Sequence, residues 1–314
     1  MKEERGPNLG QSDIEGLRYT PSGIPIKPYY TPQDIGGMDY RSYLNNPGEY
    51  PFTRGIHPLG YRKFVWQNSM ISGYGLPEEA NQREKYLRDV GAAGYGGKTS
   101  LNFAFDNPCQ NGYDSDHPLS KYEVGTGGIF INSLHDAEIL FDGFDIGNLN
   151  VGLIIDTPGP IILAIYVALA DKWGVSRDKL RGIVCNSPWR RYYSGTARTF
   201  PPEHALRVAS DCIVWAAKEV PNFNTYSLNG YDSREGGATA TQEIAIAIAP
   251  AIEVAQKCME MGGDIDQFIP NFNFFLGFHD NFFEEITKIR AGRRIWAKII
   301  KEKFGAKKEK SCWM

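Results

Sequence analysis

From about residue 78 onward this chain alternates short apolar runs with longer amphipathic stretches, and that alternation restricts it to a series of strand-helix units. Apolar runs at 101–105, 128–131, 151–155, 182–185, 224–229 and 271–276 predict six strands. Helices are expected at 78–90, 160–173, 203–218, 239–261 and 281–304, with Pro250 kinking the fourth because it removes a backbone donor. The last helix is the most sharply written. Asp280 is placed to cap it and Glu284 and Glu285 favour its positive end. Phe282, Ile286, Ile289, Trp296 and Ile300 recur at three- and four-residue steps, and Gly305 ends it. Parallel strands with helical crossovers either close into a barrel or stay an open doubly wound sheet, and periodicity alone leaves both open.

The first part of the chain reads differently. Residues 1–60 are rich in Gly, Pro and Tyr, and Gly23-Ile24-Pro25-Ile26-Lys27-Pro28 cannot hold a helix. The expected organisation is an extended arm, 1–77, followed by one α/β domain, 78–314, in a chain long enough to bury a large core. A net charge of -3 and the lack of a twenty-residue apolar run argue against nucleic-acid binding and against membrane insertion. The five cysteines form no Cys-x-x-Cys pair and the charged N-terminus has no secretory apolar core, so a cytoplasmic location is expected.

The segment Asn111-Gly112-Tyr113-Asp114-Ser115-Asp116-His117-Pro118 follows the first predicted strand, where α/β enzymes place chemistry. Asp114, Asp116 and His117 do not make a convincing metal set, and a solvated loop bonded to its own backbone is the simpler reading. Its company is more telling. Together with Pro51-Phe52-Thr53-Arg54-Gly55 upstream and Asn281-Phe282-Phe283-Glu284-Glu285-Ile286 downstream, it resembles the large subunit of the methylmalonyl-CoA mutase family. The resemblance runs from Gly23-Ile24-Pro25-Ile26 through Arg290-Ala291-Gly292-Arg293-Arg294.

That resemblance implies an incomplete TIM-type (β/α) barrel of about six of eight units, holding an acyl-CoA. Residues 311–314 then fall about where the family's seventh strand begins, so another polypeptide supplies the remainder or the chain is a fragment. It implies adenosylcobalamin as cofactor and radical rearrangement of the acyl skeleton. The family's cobalt-ligating Asp-x-His-x-x-Gly motif is missing from this sequence, so cobalamin is expected on a separate small subunit or a further domain. By the same resemblance Tyr231 and Asp232 fall at catalytic positions, Phe105, Gly127 and Glu235 at cofactor-binding positions, and Ile71, Asn102, Cys185, Asn186 and Asn273 in the substrate pocket; no residue is assigned to a metal. Without it, Phe105 reads as a core aromatic, Gly127 as a turn glycine and Glu235 as a helix-start carboxylate.

The departures from the family pattern cluster at that pocket. Asp232 stands where the family has a histidine that hydrogen-bonds the thioester carbonyl, and an ionised carboxylate has no proton to give. Ile71, within Ser69-Met70-Ile71-Ser72-Gly73, replaces an aromatic, as in relatives acting on branched hydroxyacyl-CoA. Cys185-Asn186-Ser187 replaces Gln-Asn-Asp, Asn271-Phe272-Asn273 loses a cation, and Gly195 stands in place of the arginine that clamps the methylmalonyl carboxylate. Arg190, Arg191 and Arg198 are the nearby residues that could replace that clamp, with solvated surface arginines the favoured reading. The basic stretch 288–310, with ten Lys or Arg against two Glu, could attract CoA phosphates, with a solvated helix face the favoured reading. Three functions follow in order of preference: a mutase barrel for an acyl-CoA other than methylmalonyl-CoA, an inactive structural or assembly partner, and a hydrolase using Asp232 and Glu235 as paired carboxylates.

Overall fold

The structure, a computed structural model, describes residues 18–63, 65–66, 70–95, 98–193 and 200–314. Gly195 and Arg198 lie outside them, as does Ser69. Five strand segments stand side by side: Ile71–Ser72, Lys98–Ala104, Leu149–Ile154, Arg181–Val184 and Phe223–Asn224, each parallel to its neighbour. Tyr226–Asn229 pairs in parallel with Phe272–Phe275. Thr225 interrupts the expected 224–229 strand, yet the wall is continuous there. The Thr225 N–H donates to the Asn271 carbonyl at 3.2 Å and the Ser227 N–H to the Cys185 carbonyl at 3.0 Å. With helices between successive strands this is a partial TIM-type barrel.

One predicted strand does not form. Residues 128–131 make only a single parallel bridge, Ile129 to Phe105, and the Ile71–Ser72 strand occupies that edge of the sheet instead. The run is apolar because Ile129, Phe130 and Ile131 are buried in the core, and a short apolar run reads alike whether it is a strand or buried coil. Gly128 crosses the end of the neighbouring strand so closely that a Cβ there would sit 2.1 Å from the Asp106 nitrogen.

The helices Pro77–Asp89, Gly159–Lys172, Pro202–Glu219, Ala240–Glu260 and Phe282–Lys298 lie where periodicity placed them. Ala240–Glu260 runs unbroken through Pro250. Leu134–Phe141, started by a Ser133/Asp136 capping box, was not anticipated. Two apolar clusters pack the outer face of the wall. One joins Leu101, Phe103, Val151, Leu153 and Val184 to Leu140, Phe141 and Tyr166. The other joins Tyr226, Leu228 and Phe272 to Ile248, Val254 and Trp296, and Phe52 of the arm enters it fully buried. Each such side chain contributes about 1.5–3 kcal/mol relative to exposure.

The last helix differs in detail from its sequence signature. Asn281, not Asp280, caps it, accepting from the Glu284 N–H at 3.2 Å. Trp296 and Ile300 are buried, but Phe282 is 67% and Ile286 37% exposed. The adjoining stripe, Glu284, Glu285 and Lys288, is the buried one. Oppositely charged groups on neighbouring elements, Arg234 and Glu243, pair with that stripe and make its burial tolerable.

Candidate functional site

The inward face of the barrel wall follows from strand alternation. Leu101 and Phe103, Val151 and Leu153, Val184, Tyr226 and Leu228, and Phe272 and Phe274 all pack outward against helices, so the residues between them face the lumen. These are Ser100, Asn102, Asn150, Gly152, Ile183, Ser227 and Asn273. TIM barrels ordinarily fill this space with layers of branched apolar side chains. Here the inward-facing residues are mostly small and polar. Gly152 stands opposite Asn102 in register, and a Cβ at that point would lie 1.7 Å from the Asn102 Oδ1.

At the C-terminal ends of the strands a charged cluster closes the lumen. Arg190 Nε donates to Asp232 Oδ2 at 2.5 Å, its Nη2 to Asp232 Oδ1 at 3.5 Å, and its Nη1 to the Asp156 oxygens at 3.4 and 3.3 Å. Arg191 pairs with the same Asp156, which is fully buried. The side chains of Arg190 and Arg191 are only 17% and 11% exposed, so these arginines are not the solvated surface residues expected from sequence. Two aspartates and two arginines balance to zero formal charge. The Tyr193 hydroxyl beside them donates to the Asn229 carbonyl at 2.8 Å, and burial raises its pKa. Burial first, with the Asp156 charge adding, pushes the Cys185 thiol up to about 12, so it is no nucleophile at neutral pH.

The structure brings Tyr231, Asp232 and Cys185 together at this mouth. Tyr231 stacks obliquely on Phe275, with ring centroids 4.9 Å apart, and both rings are partly exposed. Glu235 lies farther round the rim, 2.9 Å from the His279 ring and half exposed. Asn102 and Asn273 lie on the lumen face and Ile71 is exposed on the open edge strand. Two of the named residues point elsewhere. Phe105 is buried in the outer apolar cluster, and Asn186, at φ 41°, turns its amide away from the mouth to donate to the Ala209 and Thr225 carbonyls. Gly127 adopts a left-handed φ of 66° in the loop above the first core strand. In the Asn111–Pro118 region, His117 accepts from the Leu119 N–H and stacks on Tyr113, so this polar loop is bonded to itself.

A parallel (β/α) wall with a polar inward face and charged groups gathered at the C-terminal strand ends places this chain among the (β/α)-barrel proteins. Comparison with known families narrows the class: the family model for methylmalonyl-CoA mutase matches residues 19–314, and the chain belongs to that family. It is 35% identical over 304 residues to the methylmalonyl-CoA mutase large subunit of Streptomyces virginiae, covering 97% of this chain and 40% of the relative. Against the mitochondrial methylmalonyl-CoA mutase of Homo sapiens it is 35% identical, covering 96% and 39%. Against the 2-hydroxyisobutanoyl-CoA mutase large subunit of Aquincola tertiaricarbonis the figures are 36%, 93% and 51%. The chain thus spans roughly two fifths to half the length of these relatives.

Proposed function

We propose that this chain is the acyl-CoA-binding barrel of an adenosylcobalamin-dependent acyl-CoA mutase, acting on a branched or hydroxylated acyl group that carries no free carboxylate. The observation that carries the reading is the charge-balanced cluster of Asp156, Asp232, Arg190 and Arg191 among the described residues at the mouth of a polar lumen. Arg190 and Arg191 are both engaged by Asp156 and Asp232, so neither stands ready as the bidentate partner that a buried substrate carboxylate needs. A 2-hydroxyisobutanoyl-CoA mutase large subunit at 36% identity and methylmalonyl-CoA mutases at 35% and 37% are equally similar to this chain, so the choice rests on the charge pattern of the mouth.

Adenosylcobalamin, when bound, supplies the radical that abstracts a substrate hydrogen. The chain's own residues fit one side of such a group: Tyr231, Phe275 and Phe278 offer exposed aromatic surface at the rim, and Glu235 lies beside it. This sequence has no Asp-x-His-x-x-Gly motif, and on this reading a separate cobalamin-binding subunit or domain supplies the cobalt ligand. The strands Ile71–Ser72 and Phe272–Phe275 each pair on one side only among the described residues, and a further polypeptide segment is the proposed means of covering those edges. All five cysteines are free, in keeping with a reducing compartment such as the cytoplasm. No described helix is long and apolar enough to cross a membrane.

The test is radical formation. The protein purified from its own cells with its associated subunits, mixed with adenosylcobalamin and a branched monocarboxylic acyl-CoA, should give an electron paramagnetic resonance signal that depends on the acyl-CoA. Silence with every acyl-CoA would favour an inactive structural partner.

A further inference from the structure

An acyl-CoA held at this mouth needs a hydrogen-bond donor on its thioester oxygen, because rearrangement at the adjacent carbon shifts electron density onto that oxygen. Asp232 has none to give when ionised. The group it holds does. We propose that Arg190 is the substrate-facing donor of this pocket, aimed by Asp232 and Asp156 at the thioester carbonyl; the inference rests on the acyl-CoA reading above.

The geometry supports this in three ways. Arg190 has five N–H groups, and its Nη2, which carries two of them, is bonded to a single oxygen, Asp232 Oδ1 at 3.5 Å, so at least one donor is left over. Its orientation is fixed from two sides, by Asp232 on the first turn after one strand and by Asp156 just beyond another. A guanidinium clamped at both ends keeps its direction without help from the ligand. Its side chain is 17% exposed, enough to meet a ligand at the mouth while staying largely out of bulk water.

The charge balance says what it would bind. With Asp156 and Asp232 opposing Arg190 and Arg191, the cluster has no net charge to offer a full anion, but its oriented N–H remains a good partner for a carbonyl dipole. The neighbouring hydroxyl competes poorly, since the Tyr193 O–H is already donated to the Asn229 carbonyl. Asp232 and Arg190 therefore act as one unit: the carboxylate positions and the guanidinium donates.

The experiment is isotope-edited infrared spectroscopy of a non-reacting branched acyl-CoA labelled with carbon-13 at the thioester carbonyl, bound to the protein with its associated subunits and without cobalamin. The bound carbonyl should absorb at lower frequency than in water. Arg190→Met should return it to the free value and weaken binding by about ten- to a hundredfold, while Arg190→Lys should keep part of the shift. In unmutated protein labelled with nitrogen-15 in the arginine side chains, the Arg190 Nη resonance should move on ligand addition, a readout that needs no variant to fold. Tight binding with an unchanged carbonyl shift in Arg190→Met, or an unmoved Arg190 resonance in the wild type, overturns the assignment while leaving the acyl-CoA reading intact. Failure of any acyl-CoA to bind overturns both.

Discussion

Replacing Lys288 by methionine tests whether the buried charge cluster holds the Tyr231–Glu235 turn and the last helix together. The Lys288 ammonium donates to Glu243 Oε2 at 2.7 Å and to the Gly277 carbonyl at 2.6 Å, and it pairs with Glu285. The three side chains are at most 2% exposed. Methionine fills the volume but takes the cluster of Arg234, Lys288, Glu243 and Glu285 from formal neutrality to one excess negative charge. Breaking a buried pair in this way costs about 3–5 kcal/mol. The lower end applies here, because Glu285 keeps Arg234 at 2.9 Å and Glu243 keeps the Gly277 N–H at 2.6 Å. For a denaturant dependence of about 3 kcal/mol/M, a loss of about 3 kcal/mol moves the urea midpoint by roughly 1 M. Circular dichroism through a urea titration measures it. Adding Glu285→Leu to the same chain should recover more than half of the loss, since the unmatched carboxylate goes too. A single-variant loss below about 1 kcal/mol, or no recovery in the double variant, would mean that solvent reaches the cluster and that it does not organise the fold.

Glu84 gives a pH prediction. Burial holds its carboxyl above the ordinary 4.5, with the Ser72 hydroxyl the polar group beside it. The folded state keeps this proton to higher pH than the unfolded state, so the stability linked to it is fully present below about 4.5 and is lost as pH rises through the folded value. Glu84→Gln, uncharged throughout, should gain stability relative to wild type between about pH 4 and about pH 7; a gap that stays flat across that range would contradict the burial argument. In the lumen, Gly152→Val should displace Asn102, cost about 1–3 kcal/mol by overpacking, and abolish acyl-CoA binding measured by calorimetry. Unchanged affinity would show that the ligand does not use this stretch of the barrel.

Much of the architecture was legible because strand-helix alternation is a repeating signal: five helices and most strands fall where their periods put them. The 128–131 run misled for a physical reason, since Ile129, Phe130 and Ile131 are apolar through burial and not through pairing. The brief Ile71–Ser72 strand is too short for any pattern to show. The lumen was readable in principle. Ser100, Asn102 and Ala104 alternate with Leu101 and Phe103, and Thr225, Ser227 and Asn229 with Tyr226 and Leu228, but polar positions alternating with apolar ones usually mean solvent and not a channel. Arg190 and Asp156 were missed as partners because they lie 34 residues apart, joined only when neighbouring strands bring their C-terminal ends together. Consecutive arginines just past a strand end were the available hint. The last helix shows the converse error: its apolar stripe was plain, but only the positions of Arg234 and Glu243 reveal that a charged stripe is buried beside it.

The central claim is that a neutral mouth selects an acyl group without a free carboxylate. The most direct measurement is a competition for the protein with its associated subunits and adenosylcobalamin, comparing turnover of 2-hydroxyisobutanoyl-CoA or isobutanoyl-CoA with that of methylmalonyl-CoA. An unpaired carboxylate at a desolvated site costs roughly 3–5 kcal/mol, or on the order of a hundredfold or more in affinity. The account predicts at least that preference for the monocarboxylic thioester. Preference for methylmalonyl-CoA would contradict it and would mean that Arg190 leaves Asp232 to clamp the substrate.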